Sequence, residues 1–254
     1  MARIILIETS TALCSVALAE DGRIVAYKES ETPRAQASLT APFVKDLLDE
    51  RGIGVRDCDA VCVSKGPGSY TGLRVGVSTA KGLCFGAGIP LIAVGTLDTL
   101  VYQAVDSSLL SVAPKDLPSG TSAPFASGFR YIVPMVDARR MEVYTAAYNA
   151  ALETVLEPQA IILDENSFAD LLERGHTLVV MGNGSDKARQ VLTHDRVRFI
   201  TGIKPVAVEM LALAEKAWRE QQFLDVAYST PLYLKEFQAT KPKNPVLGVL
   251  KTDN

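Results

Sequence analysis

Three short apolar runs open the chain and restrict its fold more than any composition figure. RIILIE at 3–8, CSVALA at 14–19 and RIVAYK at 23–28 each have the length of a strand. Asp21-Gly22 joins the second run to the third. That dipeptide suits the two-residue hairpin turn, which needs positive φ at both central positions. Leu39, Phe43, Val44, Leu47 and Leu48 then recur at helical spacing. A helix starting near Ser38 places Pro42 in its first turn, where a missing N–H costs little. A buried strand is expected over 59–64, a helix over 71–86, a strand over 90–94 and a helix over 96–105, with Thr96 as its N-cap. The order β-β-β-α-β-α-β-α implies a mixed sheet covered by helices.

The layout then restarts. Strands are expected at 131–136, Glu142–Tyr148 and Thr177–Met181, the last ending in Gly182-Asn183-Gly184. Helices are expected at 166–174 and, after Pro205, at 206–222. Between the halves lies DSSLLSVAPKDLPSGTSAPFASGFR at 106–130, read as a flexible interlobe insertion. The expected organisation is a first α/β lobe at 1–105, the insertion at 106–130, a second α/β lobe at 131–234, and a basic, loosely held tail at 235–254.

Composition excludes several classes. Of 254 residues, 48% are apolar and 22% charged, which suits a packed core rather than disorder. A net charge of −3 gives no bulk electrostatic grip on nucleic acid or an anionic membrane. Lys235, Lys241 and Lys243 in the tail could touch a nucleic acid locally or simply be solvated. Met1-Ala2-Arg3 runs straight into a strand, so no secretory leader is expected. No apolar run approaches the roughly 18 residues of a membrane span. Cys14, Cys58, Cys62 and Cys84 read as reduced structural thiols of a cytoplasmic protein.

Three stretches could carry chemistry. Glu8-Thr9-Ser10-Thr11 sits between two strands, where its hydroxyls could hold a phosphate or cap the backbone. SKGPGSYTGLRVGVSTAKG at 64–82 is neither a Walker A loop nor GxGxxG, because Leu73 follows Gly72 and Thr71 stands at the third glycine position. Gly72/Gly76 and Gly82/Gly86 each share a helix face, and a helical glycine costs about 1 kcal/mol against alanine. That cost implies a close neighbour, either the chain's own sheet or a partner helix. Asp137-Ala-Arg-Arg-Met-Glu142 offers a ligand clamp or a surface ion-pair network. His176 and His194 form no ligand pattern, which disfavours a histidine metal site or a Ser/His triad.

MARIILIETSTALCSVALAEDG, VCVSKGPGSYTGLRVGVSTAKGLCFGAGIPLIAVGTLDTL and MVDARRMEVYTAAY together resemble the TsaB family of tRNA threonylcarbamoyladenosine biosynthesis proteins. The resemblance covers nearly all of residues 1–150. GNG at 182–184 and PLYLKEF at 231–237 continue it more weakly. It implies a two-lobed actin-like ATPase fold, ribonuclease H-like, of the kind shared with sugar kinases and hsp-type chaperones. It also implies a non-catalytic scaffold of the transferase that modifies adenosine 37 of tRNA, binding and activating the catalytic paralogue TsaD. An ATPase, TsaE, docks on that pair. The chain alone is expected to be a homodimer that exchanges for the heterodimer. It is expected to reach tRNA through the complex, and no membrane.

The resemblance assigns the partner surface to the helices near 38–50 and 71–86, through Leu39, Phe43, Leu47, Tyr70, Thr71, Gly72, Leu73, Gly76 and Ala80. It leaves a degenerate nucleotide cleft at Glu8, Thr9, Ser10, Thr11, Asp137, Gly182 and Gly184. No metal or cofactor is expected for the chain alone, with ATP or ADP at a subunit boundary in the complex. Glu8 stands where this fold often has Asp, and AQASLTAP at 35–42 replaces the HxxxH motif of TsaD. The alternative is a stand-alone ATPase or small-molecule kinase of the same fold. A glycoprotease lacks both metal ligands and a nucleophile–histidine pair.

Overall fold

The computed structural model describes residues 2–106 and 130–235. Two five-stranded mixed sheets carry the chain. The first contains β1 (Arg3–Glu8), β2 (Cys14–Glu20), β3 (Arg23–Ser30), β4 (Ala60–Ser64) and β5 (Leu91–Val94), in the order β3-β2-β1-β4-β5. β1, β2 and β3 pair antiparallel, while β1, β4 and β5 pair parallel. The second sheet contains β6 (Arg130–Asp137), β7 (Glu142–Tyr148), β8 (Thr154–Ile162), β9 (Thr177–Met181) and β10 (Val197–Phe199). Its order, β8-β7-β6-β9-β10, repeats the first, with the same antiparallel and parallel halves.

The duplication extends to the helices. α1 (Gln36–Glu50), α2 (Tyr70–Ala87) and α3 (Thr96–Asp106) follow β3, β4 and β5; α4 (Ala169–Glu173), α5 (Ser185–Ala188) and α6 (Leu211–Arg219) follow β8, β9 and β10. β1 is apolar on both faces, as a strand covered on both sides must be. Ile5 and Ile7 join Val44, Leu47, Val77 and Ala80 of α1 and α2 in one core, and Ile4 and Leu6 join Met210, Ala214 and Ala217 in another. The last helix of each half crosses over. Leu97, Leu100, Val101 and Ala104 of α3 pack on Ile132, Val136 and Tyr148 of the second sheet. α6 covers the first sheet. The lobe boundary drawn at 131–234 therefore encloses a helix whose apolar face belongs to the other lobe's core.

Several local expectations are corrected. α1 begins at Gln36, so Pro42 lies in its second turn. Thr96 does not cap α3, since it is the helix's first residue and its hydroxyl meets Ser64 Oγ at 2.8 Å. The helix expected over 166–174 shrinks to Ala169–Glu173: Asn166 N donates to Asp164 Oδ1 at 3.0 Å, and Phe168 has a φ of 67°. That Asx-type turn consumes the first residues. The helix expected over 206–222 is a 3-10 turn at Ala207–Met210 followed by α6. β8, β10 and α5 had no counterpart in the sequence reading. β8 carries Pro158 on an edge strand, where a lost ladder donor is tolerated. The hairpin at Asp21-Gly22 forms as expected, with φ of 51° and 76°. Of the insertion drawn at 106–130, Asp106 ends α3 and Arg130 begins β6, and the rest, like the tail beyond Lys235, lies outside the described residues.

Candidate functional site

The two sheets face a shared cleft of about 640 Å³. Its walls come from the β1–β2 turn, the β3–α1 loop, the N-terminus of α2, the β6–β7 turn and the segment around Tyr233. Of the seven proposed cleft residues, Ser10, Thr11 and Asp137 line it; Glu8, Thr9, Gly182 and Gly184 do not. That part of the expectation is corrected.

Glu8 and Thr9 lie behind the cleft because α2 is pressed onto their turn. Ser69 N donates to Ser10 O at 2.6 Å, and Thr9 Oγ1 donates to Gly72 O at 2.8 Å. A Cβ on Gly68 would collide with Ser10 O, one on Gly72 with Thr9 O, and one on Gly76 with Thr9 Oγ1. Gly72 and Gly76 share one face of α2 and Gly68 lies in the turn that leads into it, so bare backbone seats the start of α2 on the strand end. The close neighbour of Gly72 and Gly76 is therefore the chain itself.

Glu8 is fully buried. Its Oε1 accepts Ser10 N at 2.5 Å, while its Oε2 and the Ser10 Oγ lack hydrogen-bond partners among the described residues. Burial pushes its carboxyl up to about 7, and the polar groups of Ser10 and Ser64 beside it oppose that only in part. The thiols of Cys14 and Cys62 border it and are themselves raised by burial, so among the described residues no charged side chain stabilises its ionised form. The turn does not fit the phosphate-and-metal cradle that this fold class implies, because the acid is sealed, Ser10 N is spent on it and Ser10 O is spent on α2.

The equivalent turn of the second lobe is built differently. Asp137 closes β6, and its carboxylate is roughly half exposed and paired with Lys187. Lys187 also donates to Arg140 O at 2.8 Å and Glu142 O at 2.5 Å, locking the β6–β7 turn. Gly182 and Gly184 serve packing: a Cβ on Gly182 would strike Met135 O of β6, and one on Gly184 would strike Val143 Cγ1 of β7 and press on Met135 of β6. Asn183 between them donates nothing to the cleft floor but accepts Asp137 N at 3.1 Å.

The partner residues divide as well. Leu47, Gly72, Leu73, Gly76 and Ala80 are buried in the first lobe's own core and offer no surface, while Leu39, Phe43, Tyr70 and Thr71 keep part of theirs. Tyr70 is held between Tyr233, at 4.8 Å, and the Arg74 guanidinium, at 4.8 Å. Sequence reasoning passed over Phe85, which is 85% exposed on α2. Gly82 and Gly86 flank it, and a Cβ added to either would meet nothing within 4 Å. The signal was an aromatic side chain between two glycines on one helix. Arg139 at the cleft belongs to the Asp137–Glu142 stretch singled out in the sequence, whereas Arg34 carried no such signal.

Residues 30–114 match the family model described as TsaD, tRNA N6-adenosine threonylcarbamoyltransferase. The Escherichia coli K12 protein named tRNA threonylcarbamoyladenosine biosynthesis protein TsaB is 29% identical over 249 residues, 94% of this chain and 97% of its own. The Bacillus subtilis 168 protein of the same name is 29% identical over 193 residues, 74% of each chain. The solved structure titled YeaZ from Pseudomonas aeruginosa has a TM-score of 0.70 at 26% identity, covering 92% of this chain and 100% of that one. The duplicated βββαβαβα halves and the cleft between them define the class, a two-lobed actin-like ATPase fold. Within that class the chain is similar over nearly its whole length to the Escherichia coli protein named TsaB and, in fold, to the YeaZ structure from Pseudomonas aeruginosa.

Proposed function

We propose that the chain is a non-catalytic, cytoplasmic subunit of tRNA threonylcarbamoyladenosine biosynthesis that binds and activates the catalytic paralogue TsaD. The observation that carries this reading is the sealed strand-end acid. Glu8 is buried beneath Gly68, Gly72 and Gly76 and cannot reach a substrate in the cleft. The relatives' names place those proteins in this biosynthesis. The match of residues 30–114, which include α1 and α2, to a TsaD model is consistent with a region held in common with that paralogue.

The docking face is the exposed side of that helix pair, with Phe85, Gly82 and Gly86 at one end and Leu39 and Phe43 on α1. An exposed aromatic beside bare backbone suits close helix approach and anchors an interface. The same face forms the homodimer when the chain is alone, and TsaE joins the heterodimer. A second reading, a stand-alone ATPase or kinase, draws on the open cleft and on Asp137 at its edge.

The test is co-purification with the host's TsaD, followed by threonylcarbamoylation of tRNA with and without this chain. A stable pair and dependence of modification on it are expected, with Phe85→Asp weakening the pair at least tenfold. No pair, together with ATP turnover by the chain alone, would replace this reading with the second one. Substitution at Gly72 or Gly76 is not a test of the interface, since it disturbs the chain's own turn.

A further inference from the structure

Beyond α6 the chain runs as a strap over residues 224–235, with one isolated bridge and no helix or strand of its own. It keeps to the first lobe for most of that length. Leu224 N donates to Leu91 O of β5 at 2.8 Å, and Val226 packs against the core that α1 and α2 share with the first sheet. Lys81 of α2 donates to Ala227 O at 2.9 Å and to Ser229 O at 3.1 Å. Leu232 N donates to Lys65 O at 2.7 Å, and the Tyr233 ring lies 4.8 Å from that of Tyr70, the first residue of α2. The strap then crosses to the second lobe, where Lys235 Nζ meets Glu142 Oε2 of β7 at 2.5 Å.

Its two ends are unequal. On the first lobe several contacts act side by side. On the second, among the described residues, one ion pair holds it, with side chains 33% and 18% exposed. A pair partly open to water shifts a two-state equilibrium by about fivefold at most. The middle is lightly held as well. Tyr228 is 84% exposed, and Ser229 Oγ is buried without a hydrogen-bond partner among the described residues. Few buried apolar contacts and an unsatisfied hydroxyl mark a segment of low local stability. Elsewhere the lobes are joined through the crossed helices α3 and α6, with Tyr148 Oη donating to Asp98 Oδ1 at 2.7 Å and Ala207 N to Ser15 Oγ at 2.9 Å. Tyr70 is where α2 bears on the strap's weak end, since its ring touches Tyr233 on one side and the Arg74 guanidinium on the other.

We propose that the strap is a latch between α2 and the second lobe. The Tyr70–Tyr233 contact sets its end in place, the Lys235–Glu142 pair is the part that releases, and release lets the lobes part. A displacement at the first turn of α2 is thereby passed to the second lobe. The latch belongs to the chain alone, so it can fail while the pair with TsaD forms, and the reverse.

The experiment attaches nitroxide labels at Ala37→Cys and Gln190→Cys, exposed positions on the first and second lobes, and measures the distance between them by pulsed electron spin resonance. The four native thiols are buried, so the added ones take the label. A major short-distance population and a minor longer one are expected. Glu142→Gln and Lys235→Gln should each raise the longer population about threefold to fivefold. Tyr70→Ala should do the same, and Tyr233→Ala reads that contact from the strap should Tyr70→Ala disturb α2. Because the two contacts act in series, Glu142→Gln combined with Tyr233→Ala should add nothing beyond the larger single effect. The exchanged pair, Glu142→Lys with Lys235→Glu, should restore the original distribution. Distances indifferent to these substitutions, effects that add in the combined variant, or an exchanged pair that restores nothing would overturn the latch.

Discussion

Glu8 closes β1 and Asp137 closes β6, the same position in two copies of one topology. Each strand end is followed by a tight turn to an antiparallel neighbour, and each turn is covered by the helix that follows the parallel strand. The first lobe covers its turn with the glycine stripe of an 18-residue helix and buries the acid without a cation. The second lobe uses a four-residue helix, leaves the acid half exposed and ties it to Lys187. The difference lies in how closely the covering backbone approaches. A bare helix excludes water and forces the carboxyl toward its neutral form; a short helix that brings a lysine leaves the acid in reach of water and beside a cation.

Removing the bare stripe should have the largest effect. Gly72→Ala sets a Cβ against the Thr9 carbonyl, a backbone atom that cannot swing aside. Overpacking of this kind costs about 3 kcal/mol or more. Gly182→Ala tests the second lobe, where a φ of 94° adds backbone strain to the collision with Met135 O. Denaturant midpoints should fall for both variants. Gly82→Ala and Gly86→Ala, on the open side of α2, should leave stability unchanged or raise it by up to about 1 kcal/mol. Equal losses at Gly72 and Gly82 would remove the distinction between a seating face and an open one.

The next effect is a pH dependence confined to the first lobe. Folding raises the Glu8 carboxyl from 4.5 to about 7, so the native state holds a proton that the unfolded chain releases. Its contribution to stability is complete below pH 4.5 and is lost as pH rises through about 7. At 1.36 kcal/mol per pK unit the loss is about 3 kcal/mol. Glu8→Gln keeps an oxygen for Ser10 N and cannot ionise. The stability of Glu8→Gln relative to wild type should therefore climb by about that amount between pH 4.5 and pH 8. Parallel stability curves for the two proteins would mean that the carboxyl is neither sealed nor raised.

Much of this contrast could be read from the sequence, but not its decisive part. The repeated β-β-β-α-β-α-β-α order was visible because apolar runs, the Asp21-Gly22 turn and helical spacing are local signals. The glycine faces were visible too, and one of the two readings left open for Gly72 and Gly76, packing on the chain's own sheet, is the observed one. The choice between them depends on a contact across 63 residues, from Thr9 to Gly72, and no local pattern encodes it. The exchange of α3 and α6 between sheets was hidden for the same reason, since an amphipathic helix does not name the sheet it covers. Arg34 and Arg139 line one cleft only because two lobes face each other; Arg139 stood out beside Asp137, but Arg34 alone reads as an ordinary exposed arginine.

The smallest expected effect completes the comparison. Asp137→Asn removes the charge that Lys187 faces, but Lys187 keeps the carbonyls of Arg140 and Glu142 as acceptors. The asparagine can still accept the Arg139 amide, now bonded to Asp137 Oδ1 at 3.1 Å. Because the Asp137 side chain is 47% exposed, water and salt screen the pair, and such pairs are worth less than about 1 kcal/mol. The loss should therefore stay under that figure and shrink in high salt. A side-by-side salt titration of Asp137→Asn and Glu8→Gln checks it, since added salt should leave the effect of Glu8→Gln unchanged. A loss of several kcal/mol at Asp137, insensitive to salt, would mean that the second turn is as sealed as the first and that the two lobes do not differ in this way.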